Sequence, residues 1–474
     1  MIPVTSYAGM EVAVFGLGRT GVSAARALMK GGAKVHAWDD NEATREKAAE
    51  AGVTIRDINK MDWQNFAALV LSPGVPYRFP EPHRVVKMAQ MVDVPVIGDM
   101  ELFARAVGDL PEHARPRIVG VTGTNGKSTT TALIGHILKE AGKDVRVGGN
   151  IGVGVLDLEA LTGNSIYVLE LSSYQLDLVE TLRCDVAVFL NVSADHLDRH
   201  GGMEGYVAAK KQIFDNQTAD DTAVIGVDDL YSQLICTKLA AQKMSRVMPI
   251  SSEFALGRGV SVLNNKLSDC RAGRVAESFD MSAARALPGS HNHQNAAAAY
   301  AACQALGVAP QDIMRAMASF PGLPHRLESV CTIGGVTFIN DSKATNAQAA
   351  EQAIKAYPNA YWIVGGRPKD DGLEGMAEYF PLIGKAFLIG EAAKEFARRL
   401  EGEVDLEVCG TLDVAVRAAY DQACESGDPD PVVLFSPACA SFDQFRDFEA
   451  RGDTFKALVK ALDVSTRGAL RALA

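Results

Sequence analysis

The chain has 474 residues, 47% of them hydrophobic and 22% charged, with a net charge of −11. That length exceeds a single core and points to about three domains at ~150 residues each, while an acidic balance without a basic block argues against a nucleic-acid partner. No apolar run reaches the ~18 residues of a membrane span, and Met1-Ile2-Pro3-Val4-Thr5 lacks the charged flank and apolar core of an export signal, so no membrane insertion and a cytoplasmic location are expected.

Glu11 to Phe15 reads as a strand, Gly16-Leu17-Gly18-Arg19-Thr20-Gly21 as a glycine turn, and an alanine-rich helix runs from there to Gly31-Gly32. A second strand, Ala33 to Trp38, ends at Asp39-Asp40, where a dinucleotide fold places its ribose-binding acid. A third, Ala68 to Leu71, enters Ser72-Pro73-Gly74, and Val94 to Ile97 completes a small doubly wound sheet. A glycine turn at the carboxyl edge of such a sheet suits any phosphorylated ligand. Its spacing does not separate a nicotinamide or flavin dinucleotide from a sugar nucleotide.

Ile118 to Thr122 reads as a buried strand, Gly123-Thr124-Asn125-Gly126 as a turn, and Lys127-Ser128-Thr129 as the start of a helix that stops at Gly142. This is phosphate-loop architecture: loop amides and the helix N-terminus face a phosphate, Lys127 reaches the terminal phosphates, and Ser128 holds Mg2+. Val121 stands where the standard pattern has a glycine, so this is a shortened variant. Because the chain is acidic, the loop amides, Lys127 and divalent metal must supply positive charge locally.

Val147-Gly148-Gly149-Asn150-Ile151-Gly152 reads as a glycine-rich turn. Strand 166–169 ends at Glu170, placed to ligate a nucleotide-bound Mg2+. Strand 186–190 opens into Asn191-Val192-Ser193-Ala194-Asp195-His196, and His196 can bind metal or donate to phosphate. Lys210 lies on a helix expected near this edge. After the strand 223–227, the stretch 245–285 reads as an antiparallel extension, and Gly289 to Asn295 caps a helix to Leu306 with Asn292 and Asn295 on one side. Pro321-Gly322-Leu323-Pro324 marks a boundary. Beyond it, strands 336–339, 361–364, 386–389 and 432–435 alternate with helices and predict a second doubly wound sheet. The eight cysteines have no close pair, so buried reduced thiols are expected.

The motifs Thr122-Gly123-Thr124-Asn125-Gly126-Lys127-Ser128, Leu169-Glu170-Leu171-Ser172-Ser173, Asp195-His196-Leu197-Asp198-Arg199 and Leu323-Pro324-His325-Arg326 resemble those of the Mur ligase family, over essentially the whole chain. Asn340 to Asn346 and Ser436 to Phe445 place the resemblance nearest its D-glutamate-adding branch. Folylpolyglutamate synthases share the short loop but insert a glycine between its lysine and serine. The resemblance implies an α/β fold of three domains: a Rossmann-like one at 1–105 for the UDP-sugar, a central mostly parallel one with a small antiparallel extension at 106–322 for ATP, and a Rossmann-like one at 323–474 contributing to ATP and D-glutamate.

It also implies an ATP-dependent monomer that joins D-glutamate to UDP-N-acetylmuramoyl-L-alanine through an acyl phosphate. Gly18, Arg19, Thr20, Asp39, Ser72, Gly74 and Asn150 would serve the UDP substrate. Asn41 departs from an arginine often found beside the uracil. Gly123, Thr124, Asn125, Gly126, Lys127, Ser128, Thr129, Asn292, Asn295, Arg326 and Asp341 would serve ATP; Lys343, Thr345, Ser441 and Phe448 would serve D-glutamate. Two Mg2+ ions would take Ser128, Glu170, His196 and a carbamate formed by CO2 on Lys210, with Lys127, His196, Lys210 and Asn150 catalytic. Domain closure would bring Arg326 and Lys343 to the site. The rival readings are another ligase of the family or a folylpolyglutamate-synthase-like ligase, a dinucleotide oxidoreductase fused to an ATPase, and a nucleotide-regulated binding module.

Overall fold

Short runs of aliphatic residues buried on both faces, such as Val12-Ala13-Val14 and Val186-Ala187-Val188, are what parallel strands covered by helices on two sides require. The computed structural model describes residues 1–287, 289–368 and 372–473; for 290, 291 and 463–473 the description is of the backbone alone. It divides into two compact units, Met1–Phe320 and the remainder from Pro321.

The first unit holds two sheets. Strands β1 (Glu11–Phe15), β2 (Lys34–Trp38), β3 (Phe66–Leu71) and β4 (Val96–Ile97) form a parallel sheet in the order β2-β1-β3-β4. The second comprises β5 (Arg117–Thr122), β6 (Asp144–Gly149), β7 (Ser165–Glu170), β8 (Val186–Phe189), β9 (Thr222–Gly226), β10 (Arg246–Ser251), β11 (Gly259–Leu263), β12 (Lys266–Arg271) and β13 (Arg274–Asp280). Their order is β13-β12-β11-β10-β9-β8-β5-β7-β6, parallel from β6 to β11 and antiparallel through β12 and β13. The stretch 147–149, expected in a turn, instead continues β6 into the ladder beside β7.

One core spans both sheets, from Val12, Val14 and Leu28 through Met100 and Phe103 to Tyr167 and Leu169. The helix Asp99–Gly108 joins them, and its fully buried Glu101 accepts from the Glu180 and Thr181 amides (2.8 Å each), the Thr181 hydroxyl and Arg105. With every carboxylate oxygen bonded, that charge is tolerated inside.

The second unit contains β14 (Glu328–Ile333), β15 (Val336–Asn340), β16 (Ala360–Gly365), β17 (Ile383–Ile389), β18 (Leu406–Gly410) and β19 (Val432–Phe435), ordered β14-β15-β19-β16-β17-β18. All pairs are parallel except β14 with β15. The sheet is thus doubly wound as expected, with an antiparallel edge strand that was not. None of the eight cysteines is in a disulfide; Cys184, Cys270, Cys303 and Cys439 are buried as expected, whereas Cys236, Cys331 and Cys409 are half-buried and Cys424 is exposed, contrary to the expectation for them. Among the described residues, no helix is long and apolar enough to cross a membrane.

Candidate active site

Parallel strands end at a common edge, so the segments after β5, β6, β7 and β8 converge there. The loop after β5 turns at Gly123 and Gly126, the latter left-handed (φ 82°). A Cβ on Gly126 would lie 2.2 Å from the Asn295 Oδ1, which accepts from the Thr130 hydroxyl at 3.1 Å. Asn295 also donates to Asn292 Oδ1 at 3.0 Å, so these two expected nucleotide residues do share a side, and both are buried against the loop helix. Asn191, which sequence reasoning gave no role, holds the loop from the other side: its carbonyl accepts from the Thr124 amide and its Oδ1 from the Asn125 amide, each at 2.9 Å.

Lys127 Nζ donates to the carbonyls of Gly123 (2.9 Å) and Thr124 (2.7 Å). Lys210, 1% exposed on the helix Met203–Lys211, donates to the same Gly123 carbonyl at 2.7 Å. Burial, then the positive charge of Lys127, lowers the Lys210 pKa to about 7, while Asp195 and Glu170 pull the other way. Tyr206 packs its ring 4.7 Å from Lys210 Nζ and bonds through its hydroxyl to Thr124 Oγ1 at 3.1 Å. The half-buried Ser128 and the buried Thr129 follow Lys127 in the first helical turn.

At the end of β7, Glu170 is 2% exposed. Its Oε1 accepts from Asn150 Nδ2 at 2.7 Å, and the Asn150 amide donates to the Glu170 carbonyl at 2.9 Å. Gly149 (φ 101°) makes this approach possible, since a Cβ there would meet that carbonyl at 2.5 Å. Glu170 Oε2 is shielded from solvent with no hydrogen-bond partner among the described residues. An orphaned buried carboxylate oxygen fits a hard cation such as Mg2+. His196 is left-handed (φ 52°), its side chain 51% exposed, 3.4 Å from Asp195 and ring-packed on Tyr174. Among the described residues no three His, Cys, Asp or Glu side chains form a metal cluster. Of the expected ligands Ser128, Glu170, His196 and Lys210, only Glu170 and His196 are of those types.

At the carboxyl edge of the first sheet, Gly16 (φ 85°) turns between β1 and the following helix, where a Cβ would strike Ser72 at 2.6 Å. Asp39 is committed to the protein's own backbone, accepting from Leu17 (2.7 Å) and Asn41 (2.9 Å) amides. Its carboxylate therefore shapes the turn. Gly18 and Arg19 line a cavity of about 470 Å³ with Arg26, Thr44 and Lys47; Thr20, Asp39, Ser72 and Gly74 are not in its lining. Where Asn41 lacks a guanidinium, Arg45 supplies one, lying over the Trp38 ring (4.3 Å) and donating to the Asp39 carbonyl at 2.7 Å. Arg199 joins this edge to the His196 segment by donating to the Gly74 carbonyl at 3.1 Å.

In the second unit, adjacent ends of β15 and β19 bring Asp341 beside Ser436, whose hydroxyl donates to Asp341 Oδ2 at 2.7 Å; the Leu327 amide donates to Oδ1 at 3.1 Å. Burial raises the Asp341 pKa to about 7, against those bonds and the charge of neighbouring Arg326. Lys343 Nζ lies 5.7 Å from the Phe448 ring, and Lys343 N–H donates to the His325 carbonyl. Arg451, which the sequence did not single out, is 1% exposed and donates to the Ser342 carbonyl (2.7 Å) and the Cys439 carbonyl (3.0 Å). It thereby ties the loop carrying Lys343 and Thr345 to the loop carrying buried Ser441. A lone arginine in a helix reads as solvated, so no sequence signal marked it.

Three family models match: Mur ligase MurD-like, N-terminal domain, over residues 10–98; Mur ligase middle domain over 121–303; and Mur ligase, glutamate ligase domain over 325–439. The UDP-N-acetylmuramoylalanine--D-glutamate ligase of Caulobacter vibrioides is 56% identical over 462 residues, 98% of each chain. That of Nitrobacter hamburgensis is 50% identical over 463 residues and that of Brucella abortus 46% over 465, each again covering 98% of both chains. Among solved structures, UDP-N-acetylmuramate-alanine ligase MurC from Thermotoga maritima superposes with a TM-score of 0.57 at 17% identity, covering 95% of this chain and 99% of that one. MurF from Acinetobacter baumannii gives 0.55 at 21%, covering 76% and 79%. At those identities the likeness bears on the fold alone. With phosphate-loop lysine, strand-end glutamate and buried second lysine on one sheet edge, and with full-length relatives at these identities, the chain belongs to the Mur ligase family.

Proposed function

We infer that this chain is an ATP-dependent ligase that joins D-glutamate to UDP-N-acetylmuramoyl-L-alanine in cytoplasmic peptidoglycan precursor synthesis, acting as a monomer. The observation that carries this is identity of 46–56% to ligases of that name across 98% of each chain, which leaves no sheet or site loop outside the match. The proposed domains are 1–105 for the UDP-sugar, 106–322 for ATP and 323–474 for ATP and D-glutamate.

Gly18, Arg19, Thr20, Asp39, Ser72, Gly74 and Asn150 are assigned to the UDP substrate, Asp39 through the turn that it bonds. The loop amides of 123–126, with Lys127, Ser128 and Thr129, are assigned to the ATP phosphates. Asn295 and Asn292 back that loop, and Arg326 and Asp341 are assigned to the rest of the nucleotide. Ser128, Glu170, His196 and carbamylated Lys210 would hold two Mg2+ ions, which when bound offset phosphate charge. The buried, partnerless Glu170 Oε2 supports this assignment. The depressed pKa of Lys210 supports the carbamate, because only a neutral amine adds to CO2 and the product is an anionic metal ligand.

The L-alanyl carboxylate attacks the γ-phosphorus of ATP; a C–O–P linkage forms and ADP leaves. Lys127 neutralises the developing charge on the transferred group. The amine of D-glutamate, its carboxylates placed in the region of Lys343, Thr345, Ser441 and Phe448, then attacks the carbonyl carbon. The C–N bond forms, the C–O bond to phosphate breaks, and phosphate departs as the nitrogen loses its proton. Asn150 and His196 orient the acyl phosphate.

The test is phosphate release from ATP in the presence of UDP-N-acetylmuramoyl-L-alanine with D-glutamate, L-glutamate or no amino acid. Release that needs both the nucleotide sugar and D-glutamate is expected. Release indifferent to the amino acid would overturn the ligase reading.

A further inference from the structure

The segment following Glu170 packs against the segment following His196 through a cluster that the steps above do not use. We propose that Tyr174, seated on a Ser173–His200–Asp177 chain, is a positioning residue that fixes the imidazole of His196 for acyl transfer. The proposal rests on the assignment of His196 to the reacting phosphate.

The chain of bonds starts at a short helix, Ser173–Leu176, set at its first turn by Ser172 and Gln175, each bonding the other's backbone amide at 3.2 Å. His200 is 4% exposed and both ring nitrogens are occupied, Nδ1 by Asp177 at 3.1 Å and Nε2 by Ser173 Oγ at 3.0 Å. A ring held at both nitrogens cannot flip without breaking a buried hydrogen bond. Tyr174 stacks on it with centroids 5.5 Å apart and planes 16° apart, while Tyr206 closes on the His200 ring at 5.4 Å. His196 packs on Tyr174 at 5.1 Å and 46°, and the Arg199 guanidinium lies 4.8 Å from the Tyr174 ring centroid.

His196 itself is half-exposed in a left-handed backbone, and Asp195 lies 3.4 Å from its Nε2. Ring packing on Tyr174 adds to that contact a fixed platform for the plane of the imidazole. Asp, His and Ser bonded in that order also make a nucleophile relay in hydrolases. Here the serine is 3% exposed and the histidine 4%, so no substrate reaches the hydroxyl; the chain orients instead of reacting.

Displacement of a reacting group by about 1 Å costs on the order of 100-fold, so Tyr174→Ala is expected to lower kcat by about 10- to 100-fold in the phosphate-release assay, with KM for D-glutamate little changed. Tyr174→Phe, which keeps the ring, restores kcat. Adding Tyr174→Ala to His196→Ala costs nothing further if the tyrosine acts through the histidine. Thermal unfolding monitors each variant, and Tyr174→Leu, which keeps volume without a ring, replaces the alanine variant should that one fail to fold. A kcat within two-fold of the parent in the ringless variant, or additive losses in the double variant, overturns the positioning role alone. A fully active His196→Ala overturns the assignment of His196 and the proposal with it.

Discussion

At the scale of single residues, the environment of Lys210 decides its chemistry. Burial and a neighbouring ammonium leave it with a pKa of about 7, so near neutrality an appreciable fraction is a free amine. Lys210→Ala is expected to abolish ligation, and short carboxylates such as acetate or formate to restore part of it by filling the place of the proposed carbamate; full activity without rescue would end the carbamate assignment. Lys343→Ala, by removing a cation from a carboxylate, is expected to raise KM for D-glutamate by about 10- to 100-fold, with KM for ATP little moved; an unchanged amino-acid KM would remove Lys343 from that pocket. Lys127 and Glu170 were legible in the sequence because short-range spacing sets them: glycine turn to lysine, apolar strand to terminal acid. Arg451 and the Tyr174 platform were not, because their partners lie far along the chain or one short helix away, and only tertiary packing pairs them.

At the scale of elements, two junctions carry measurable consequences. Asp99 starts the helix that links the first two sheets, is 3% exposed and has its pKa raised to about 6 by burial, despite a 3.3 Å bond from Gln175. Its folded value lies above the ordinary one, so its protonated form stabilises the fold below about pH 4, and that contribution is lost as pH rises through 6. Asp99→Asn should therefore gain stability relative to the parent between pH 4 and 7, by an amount on the order of 2–3 kcal/mol, read from urea midpoints at each pH; a pH-independent difference would contradict this. Gly126→Ala should cost about 1–2 kcal/mol from its left-handed backbone alone and also raise KM for ATP, since the new methyl meets Asn295 at 2.2 Å. An unaltered melting temperature and KM would show that the loop tolerates a Cβ there. The interior strands were readable as unbroken aliphatic runs. The edge strands β14 and β18 were not: sequences such as Glu-Ser-Val-Cys-Thr-Ile lie half in solvent and carry polar residues that blur any period.

At the scale of the whole molecule, the first two sheets share one core while the third sheet has its own. The sequence placed a boundary at Pro321 because prolines and a glycine punctuate it, but the continuity of the first core across Ile97 and Phe103 depends on which helix faces meet. Scanning calorimetry is expected to resolve two transitions. A UDP-sugar ligand, whose assigned residues all lie in the first unit, should raise only one of them, by about 2.7 kcal/mol at a hundredfold excess over Kd. A single transition that shifts as one would contradict independent cores.

The carbonyl of Gly123 accepts from Lys127 and from Lys210 at once. A phosphate that recruits Lys127 leaves Lys210 on that oxygen, and chemistry at the Lys210 nitrogen leaves Lys127 there. The backbone of the loop thus keeps one ammonium donor when either lysine alone is drawn away. Either lysine can therefore turn to a ligand while the other holds the turn in the shape that it already has.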